Sequence, residues 1–196
     1  MSLDTLERVG LTAAFGFFIY LIWSSSTDIE TQLGAKADEF AVVHNLQVDY
    51  KNEIQEWKNL LLRSDNREIL EKNWQLFERQ HQKVADAARL GMQRSDVRAV
   101  NVKLQAFIEA HEANFQLYKQ GREVLAKQNF DPRQADAVVK GIDRPLLDIL
   151  EAGDEEMQAE KKRIDERIIA KANNRIELGL VALFLLMLIA IWRPRH

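Results

Sequence analysis

The chain has 196 residues, with 27 Lys and Arg against 30 Asp and Glu and a net charge of −3. That is enough for one domain, and it gives no basic excess with which to hold nucleic acid. There is no cysteine, which excludes disulfides, thiol catalysis and haem attachment through Cys-x-x-Cys-His. Eight Gly and three Pro, beside 29% charged residues, suit long helices rather than a turn-rich sheet.

The first element is the uncharged run Val9–Trp23. As a helix it reaches roughly 22 Å, against a hydrocarbon core of roughly 30 Å. Extension through Ser24–Thr27 brings it near spanning length, with Trp23 as an interfacial anchor. A cleaved signal peptide is the alternative, since Ser24 and Ser26 are small enough for a cleavage site. Asp4 and Glu7 beside Arg8 make a weakly basic start and favour an uncleaved anchor.

From about Asp28 to Arg63 the spacing predicts one long helix. Phe40, Val43, Gln47, Tyr50, Ile54, Trp57 and Leu61 follow one another in steps of 3 and 4. Such a stripe stays on one side of a helix and requires partner helices. Within residues 46–63, polar or charged residues fill most positions off it. Ser64-Asp65-Asn66 ends the helix. Asp65 with Glu68 reads as a capping box for a second helix, whose stripe is Leu70, Trp74, Phe77, His81, Val84 and Ala88. Gly91 reads as the residue just past its end.

Ser95 and Asp96 are candidate caps for a third helix, with Val97, Val100, Leu104, Phe107, His111, Asn114 and Tyr118 on its stripe and Ile108 and Phe115 widening it. Asn129-Phe130-Asp131-Pro132 ends that helix. Asp131 as N-cap, Pro132 at the first helical position and Gln134 two further on give the strongest start signal in the chain. Gly141 and Pro145, four apart, predict a break in the fourth segment, with Asp143 as a new cap. Leu146, Leu150, Met157 and Ile164 then carry a sparse stripe towards a second uncharged run, Leu178–Trp192. Nothing reads as a strand.

The expected architecture is therefore all-α: an antiparallel up-down-up-down four-helix bundle over residues 28–175, flanked by transmembrane helices at 9–27 and 176–192, with residues 1–8 and 193–196 on the other side. Arg193 and Arg195 favour a cytoplasmic C-terminus, while Lys161, Lys162, Arg163, Arg167, Lys171 and Arg175 oppose it. The positive-inside rule is weak for loops this long, so charge alone leaves the topology open.

No catalytic constellation emerges, and no enzyme or cofactor is expected. Glu78 and His81 form a single Glu-x-x-His pair, where a di-iron bundle needs two and further Glu ligands. With the hairpin folded near Met92–Arg94, His81 lies level with about residue 106, which leaves His111 about 7.5 Å away along the axis, too far to share one ion without adjustment. The two histidines thus read as buried or interfacial and hydrogen-bonded; a metal or haem site is the alternative, and no metal ligand is assigned. The candidate binding surface is Lys51, Gln55, Lys58 and Arg63 on the first helix with Arg144, near Arg133, at the same end of the bundle. Such a cluster suits a small anionic, carboxylate-type ligand or a partner chain. Its alternative is ordinary solvated charge pairing with Glu53 and Glu56.

Asp49-Tyr50-Lys51-x-x-Ile54-Gln55-Glu56-Trp57-Lys58-Asn59-Leu60-Leu61-Leu62-Arg63, followed by Asn73-Trp74-x-x-Phe77, resembles the first two sensor helices of a group of bacterial methyl-accepting chemotaxis receptors. The resemblance covers residues 40–90; elsewhere the agreement is architectural. It implies a periplasmic sensor domain in the bacterial inner membrane, a homodimer among membrane lipid, and small ligands held between helices at the membrane-distal end. Receptors of that group continue into a HAMP linker and a cytoplasmic signalling coiled coil. This chain ends at His196, so output is expected through a partner, a chemoreceptor or another membrane protein. A structural or assembly factor docking on a membrane complex is the alternative function.

Overall fold

The computed structural model describes the backbone of residues 3–192, and side chains from 10 to 188 apart from 32–40 and a few single positions. The side chains of Asp4, Glu7, Arg8, Phe40 and Trp192 fall outside these, as do Arg193 and Arg195 altogether. Five helices follow in order: α1 (Leu3–Arg63), α2 (Arg67–Arg94), α3 (Arg98–Lys127), α4 (Pro132–Val139) and α5 (Asp143–Trp192). Among the described residues there is no strand. The chain divides into two compact units, residues 37–161 and residues 1–36 with 162–196.

Cross-helix contacts fix the topology of the first unit. Along α1, Asp49, Glu53, Trp57 and Ser64 meet Lys83, His81, Phe77 and Asn73 of α2, so the partners retreat as α1 advances. Glu71, Phe77 and Arg89 of α2 meet Arg122, Tyr118 and Glu112 of α3, again antiparallel. Tyr50, Glu53 and Trp57 meet Phe107, His111 and Tyr118, so α1 and α3 run parallel. Asn114 donates to the Ile142 carbonyl at 2.9 Å, and a Cβ built on Gly153 would lie 3.7 Å from Lys103 Cβ, which sets α5 antiparallel to α3. The result is the up-down-up-down bundle expected from the sequence, with α4 as a short addition. The core gathers Trp57, Leu60, Leu70, Trp74, Phe77, Tyr118 and Leu125, closed off by Ala135 and Val139 of α4.

Several helix ends differ from expectation. The α2 cap is Asn66, not Asp65: its side chain accepts from the Ile69 amide at 3.0 Å, while Asp65 accepts from the Asn66 side-chain amide. Replacing Asn66 with Ala should lower stability by about 1 kcal/mol in chemical unfolding, and Asp65→Ala should leave it nearly unchanged. Val97, whose side chain makes no capping bond, precedes α3, and Ser95 Oγ accepts from the Val97 amide at 3.1 Å. At α4 the sequence signal holds: Asp131 accepts from the Arg133 amide at 3.0 Å, with Pro132 at the first position. The expected break follows, with Gly141 at φ 80°; Asp143 is the first residue of α5 rather than its cap. Pro145 then sits in the first turn, where a missing amide costs no helical bond.

Gly91 does not end α2, which runs on to Arg94. A Cβ there would lie 2.9 Å from Val42 Cγ1 and 3.2 Å from Leu104 Cδ1. The glycine lets three helices approach closely. Gly91→Ala gains about 1 kcal/mol of helix propensity but overpacks a junction against a β-branched side chain, which costs about 1–3 kcal/mol. A net loss of stability is expected, recovered in the Gly91→Ala, Val42→Ala double variant; thermal unfolding of the three proteins checks it.

In the second unit, a Cβ at Gly179 would sit 3.0 Å from Phe18 Cδ2, so the outer parts of α1 and α5 pack together there. Both carry exposed large apolar side chains: Phe15, Phe17, Ile19, Tyr20 and Trp23 on α1, and Leu178, Val181, Phe184, Leu185 and Leu188 on α5. Among the described residues, however, no helix is long and apolar enough to cross a membrane, which leaves the two flanking spans unsupported by the helices themselves.

Candidate functional site

Of the expected α1 stripe, Val43, Tyr50, Ile54, Trp57 and Leu61 are buried, and a second line shares Val43, Tyr50 and Trp57 with it. Val43, Leu46, Tyr50, Glu53, Trp57, Leu60 and Ser64 also follow in steps of 3 and 4, and all are buried. Ile54 and Leu61 flank this line. Glu53 occupies its middle with no exposed surface, rather than lying in solvent as a partner for surface cations.

The Glu53 carboxylate is spent on two histidines. Oε1 lies 2.8 Å from His81 Nδ1, and Oε2 lies 2.7 Å from His111 Nε2. A carboxylate only accepts, so both facing nitrogens donate. Burial by itself raises the pKa of Glu53; the hydrogen bonds from His111 and His81 outweigh it and hold the carboxyl below its ordinary value. The group is therefore ionised in the core.

Aromatic rings fix the imidazoles in place. The two rings stack at 4.0 Å between centroids, Phe115 covers the other face of His81 at 4.1 Å, and Phe107 lies alongside His111 at 5.3 Å. Tyr50 meets His111 edge-on. Three polar atoms here are buried without a hydrogen-bond partner: His111 Nδ1, Tyr50 Oη and Trp57 Nε1. Burial, and after it the charge of neighbouring groups including Glu53, pushes the hydroxyls of Tyr50 and Tyr118 well above the usual tyrosine range, so both stay neutral. A surface groove lined by Gln75, Glu78, Arg79, Gln82 and Phe115 reaches His81.

The expected 7.5 Å offset between the histidines is thus corrected. It rested on a turn at residues 92–94. Because α2 continues through Gly91 to Arg94, the hairpin turns at Ser95–Val97 instead. Moving a hairpin midpoint by about three residues moves the facing residue by about twice as many, which carries His111 level with His81. The histidines themselves lie on the expected stripes. Glu53 was missed, although the rhythm Leu46, Tyr50, Trp57, Leu60 pointed to position 53 as core.

The five residues expected to bind an anion lie elsewhere. Lys51, Gln55 and Lys58 are exposed along α1, Arg63 is its exposed last residue, and Arg144 is exposed in the first turn of α5. Gln55 contacts the Asn59 side chain at 3.4 Å, and Arg144 pairs with Asp148 one turn on at 2.9 Å. The bundle topology puts Arg63 and Arg144 at the same end. Among the described residues no hydrogen bond or ion pair joins these five to one another or to Glu53.

No family model matches the chain, and no solved structure matches it. It is 28% identical over 152 residues to the methyl-accepting chemotaxis protein CtpH of Pseudomonas aeruginosa, an alignment covering 77% of this chain and 26% of that receptor. The chain therefore spans about a quarter of the length of the curated relative it matches. Over most of its own length, it is similar to part of a bacterial chemotaxis receptor.

Proposed function

We propose that the chain is a membrane-anchored, sensor-like helical bundle related to the sensor regions of chemotaxis receptors. Residues 28–175 stand in the periplasm and the apolar ends of α1 and α5 lie in the inner membrane. The observation that carries this is the similarity to a chemotaxis receptor over three-quarters of the chain. The exposed apolar side chains on α1 and α5 support the anchoring, since contiguous exposed patches of this kind mark membrane or protein contacts. In this reading the bundle pairs with a second copy and takes a small anion at Lys51, Gln55, Lys58, Arg63 and Arg144.

The cysteine-free sequence makes topology directly testable. A single Cys placed at Lys127, at the end of α3, should react with a membrane-impermeant maleimide in intact cells whose outer membrane has been permeabilised. A Cys at Arg195 should react only after lysis. The opposite pattern, or recovery of the chain in the soluble fraction, would overturn the anchoring. A thermal-shift screen of small carboxylates and inorganic phosphate tests the ligand, with any response expected to vanish in Lys51→Ala and Arg63→Ala.

A further inference from the structure

We propose that Glu53, His81 and His111 form a binding site for a first-row transition-metal dication of the Zn²⁺ class, reached through the groove at His81. This goes beyond the sensor reading and stands whether or not the chain acts as a sensor. One ligand atom from each residue lies within 4.8 Å of the others, on three different helices. One carboxylate oxygen and two imidazole nitrogens make the donor set that Zn²⁺, Cu²⁺ and Ni²⁺ favour, whereas Ca²⁺ and Mg²⁺ select oxygen-rich sets. Three protein ligands leave one tetrahedral position open for water or an anion, the pattern of open rather than purely structural zinc sites.

Coordination requires the two rings to turn out of their stack, because each nitrogen lone pair lies in its ring plane and the rings now face one another at 4.0 Å. Metal–ligand bonds of about 2.0–2.1 Å put tetrahedral donor atoms roughly 3.3 Å apart. The present contacts run to different oxygens, Oε1 to His81 at 2.8 Å and Oε2 to His111 at 2.7 Å; the ring facing the coordinating oxygen withdraws by about half an ångström and the other ring moves onto that same oxygen, as the ion replaces the two protons between carboxylate and rings. Both imidazoles coordinate in the neutral form. His81 binds through Nδ1 and His111 through Nε2, and each ring proton moves to the other nitrogen. In His111 that nitrogen is Nδ1, the buried atom now without a partner. Tyr50 Oη and Trp57 Nε1 are also buried and unpartnered on α1. Glu78, half-buried in the groove beside His81, stands on the route inward.

The full-length chain is purified in mild detergent without a polyhistidine tag, stripped with a chelator, and titrated with Zn²⁺ and with Co²⁺ as a spectroscopic probe. One equivalent per chain is expected, with the intense visible bands of low-symmetry four-coordinate Co²⁺ and a thermal midpoint that rises with metal concentration. Glu53→Gln and His111→Gln should each weaken binding by at least about tenfold, and Glu78→Gln should leave the stoichiometry unchanged. Absence of both the Co²⁺ bands and the thermal shift in folded wild-type protein overturns the site. So does undiminished binding in Glu53→Gln or His111→Gln, which would place the ion on surface groups such as His44. Should either variant fail to fold by circular dichroism, perturbation of the His81 and His111 ring resonances in wild-type protein by Zn²⁺ decides: shifts confined to these rings support the site, and unshifted rings reject it.

Discussion

Glu53→Ala is expected to destabilise the bundle by about 3–5 kcal/mol, the range for removing one member of a buried charged network. Two imidazoles, packed between Phe115 and Phe107, would each keep a donor facing a cavity with no acceptor and little water. Urea unfolding of the metal-free protein should show the midpoint fall with the slope unchanged, the sign of lost stability rather than a changed denatured state. Glu53→Gln should fall between, since the amide accepts from one ring but sets a donor against the other. A triple variant, Glu53→Met with His81→Leu and His111→Leu, removes every member of the network and should recover most of the loss. If Glu53→Ala alone costs less than about 1 kcal/mol, the carboxylate is not buried as described.

Phe77→Ala is the second large effect, at about 3–5 kcal/mol for an aromatic deleted from a packed core. Phe77 has no exposed surface, and rings of five neighbours surround it: Tyr118 at 4.8 Å, Trp74 at 5.3 Å, Trp57 at 5.8 Å, His81 at 6.3 Å and Phe115 at 6.4 Å. Three of these sit on other helices, and none can swing into the space without leaving its own contacts. Phe77→Leu keeps most of the volume and should cost less than half as much. Calorimetric midpoints of the two variants, measured in the same detergent, check the ratio.

The bundle was legible because aromatic and aliphatic residues on α2 and α3 keep a strict 3–4 rhythm, and that rhythm survives in Leu70–Ala88 and Val100–Tyr118. The α4 start was legible because Asp131, Pro132 and Gln134 act locally, within one turn. Two kinds of feature resisted. Glu53 is a carboxylate, and a carboxylate in sequence reads as surface unless its partners are known; those partners lie 28 and 58 residues away. Gly91 is ambiguous in a different way. Glycine ends helices and also permits close helix contact, and only the positions of Val42 and Leu104 separate the two roles. A single misassigned glycine displaced the hairpin and so separated two histidines that in fact stack. The caps shifted by one residue for a simpler reason: Asp65 and Asn66 are both good caps, and their order is decided by backbone geometry.

The Glu53 network also bears on which alignments of the helices are excluded. A heptad-like surface is nearly degenerate to sliding, because one apolar layer resembles the next. Moved by one turn, about 5.4 Å, α1 would still lay mostly apolar side chains against apolar side chains, and the charged exception is Glu53. Glu53 would take the place of Trp57, against Phe77 and Tyr118, or that of Tyr50, against Phe107. Either takes the ionised carboxylate away from its paired donors on His81 and His111 and sets it largely against aromatic rings, at a cost of several kcal/mol. The charge therefore works as an index mark: it adds little to the strength of the correct alignment and makes each neighbouring one untenable.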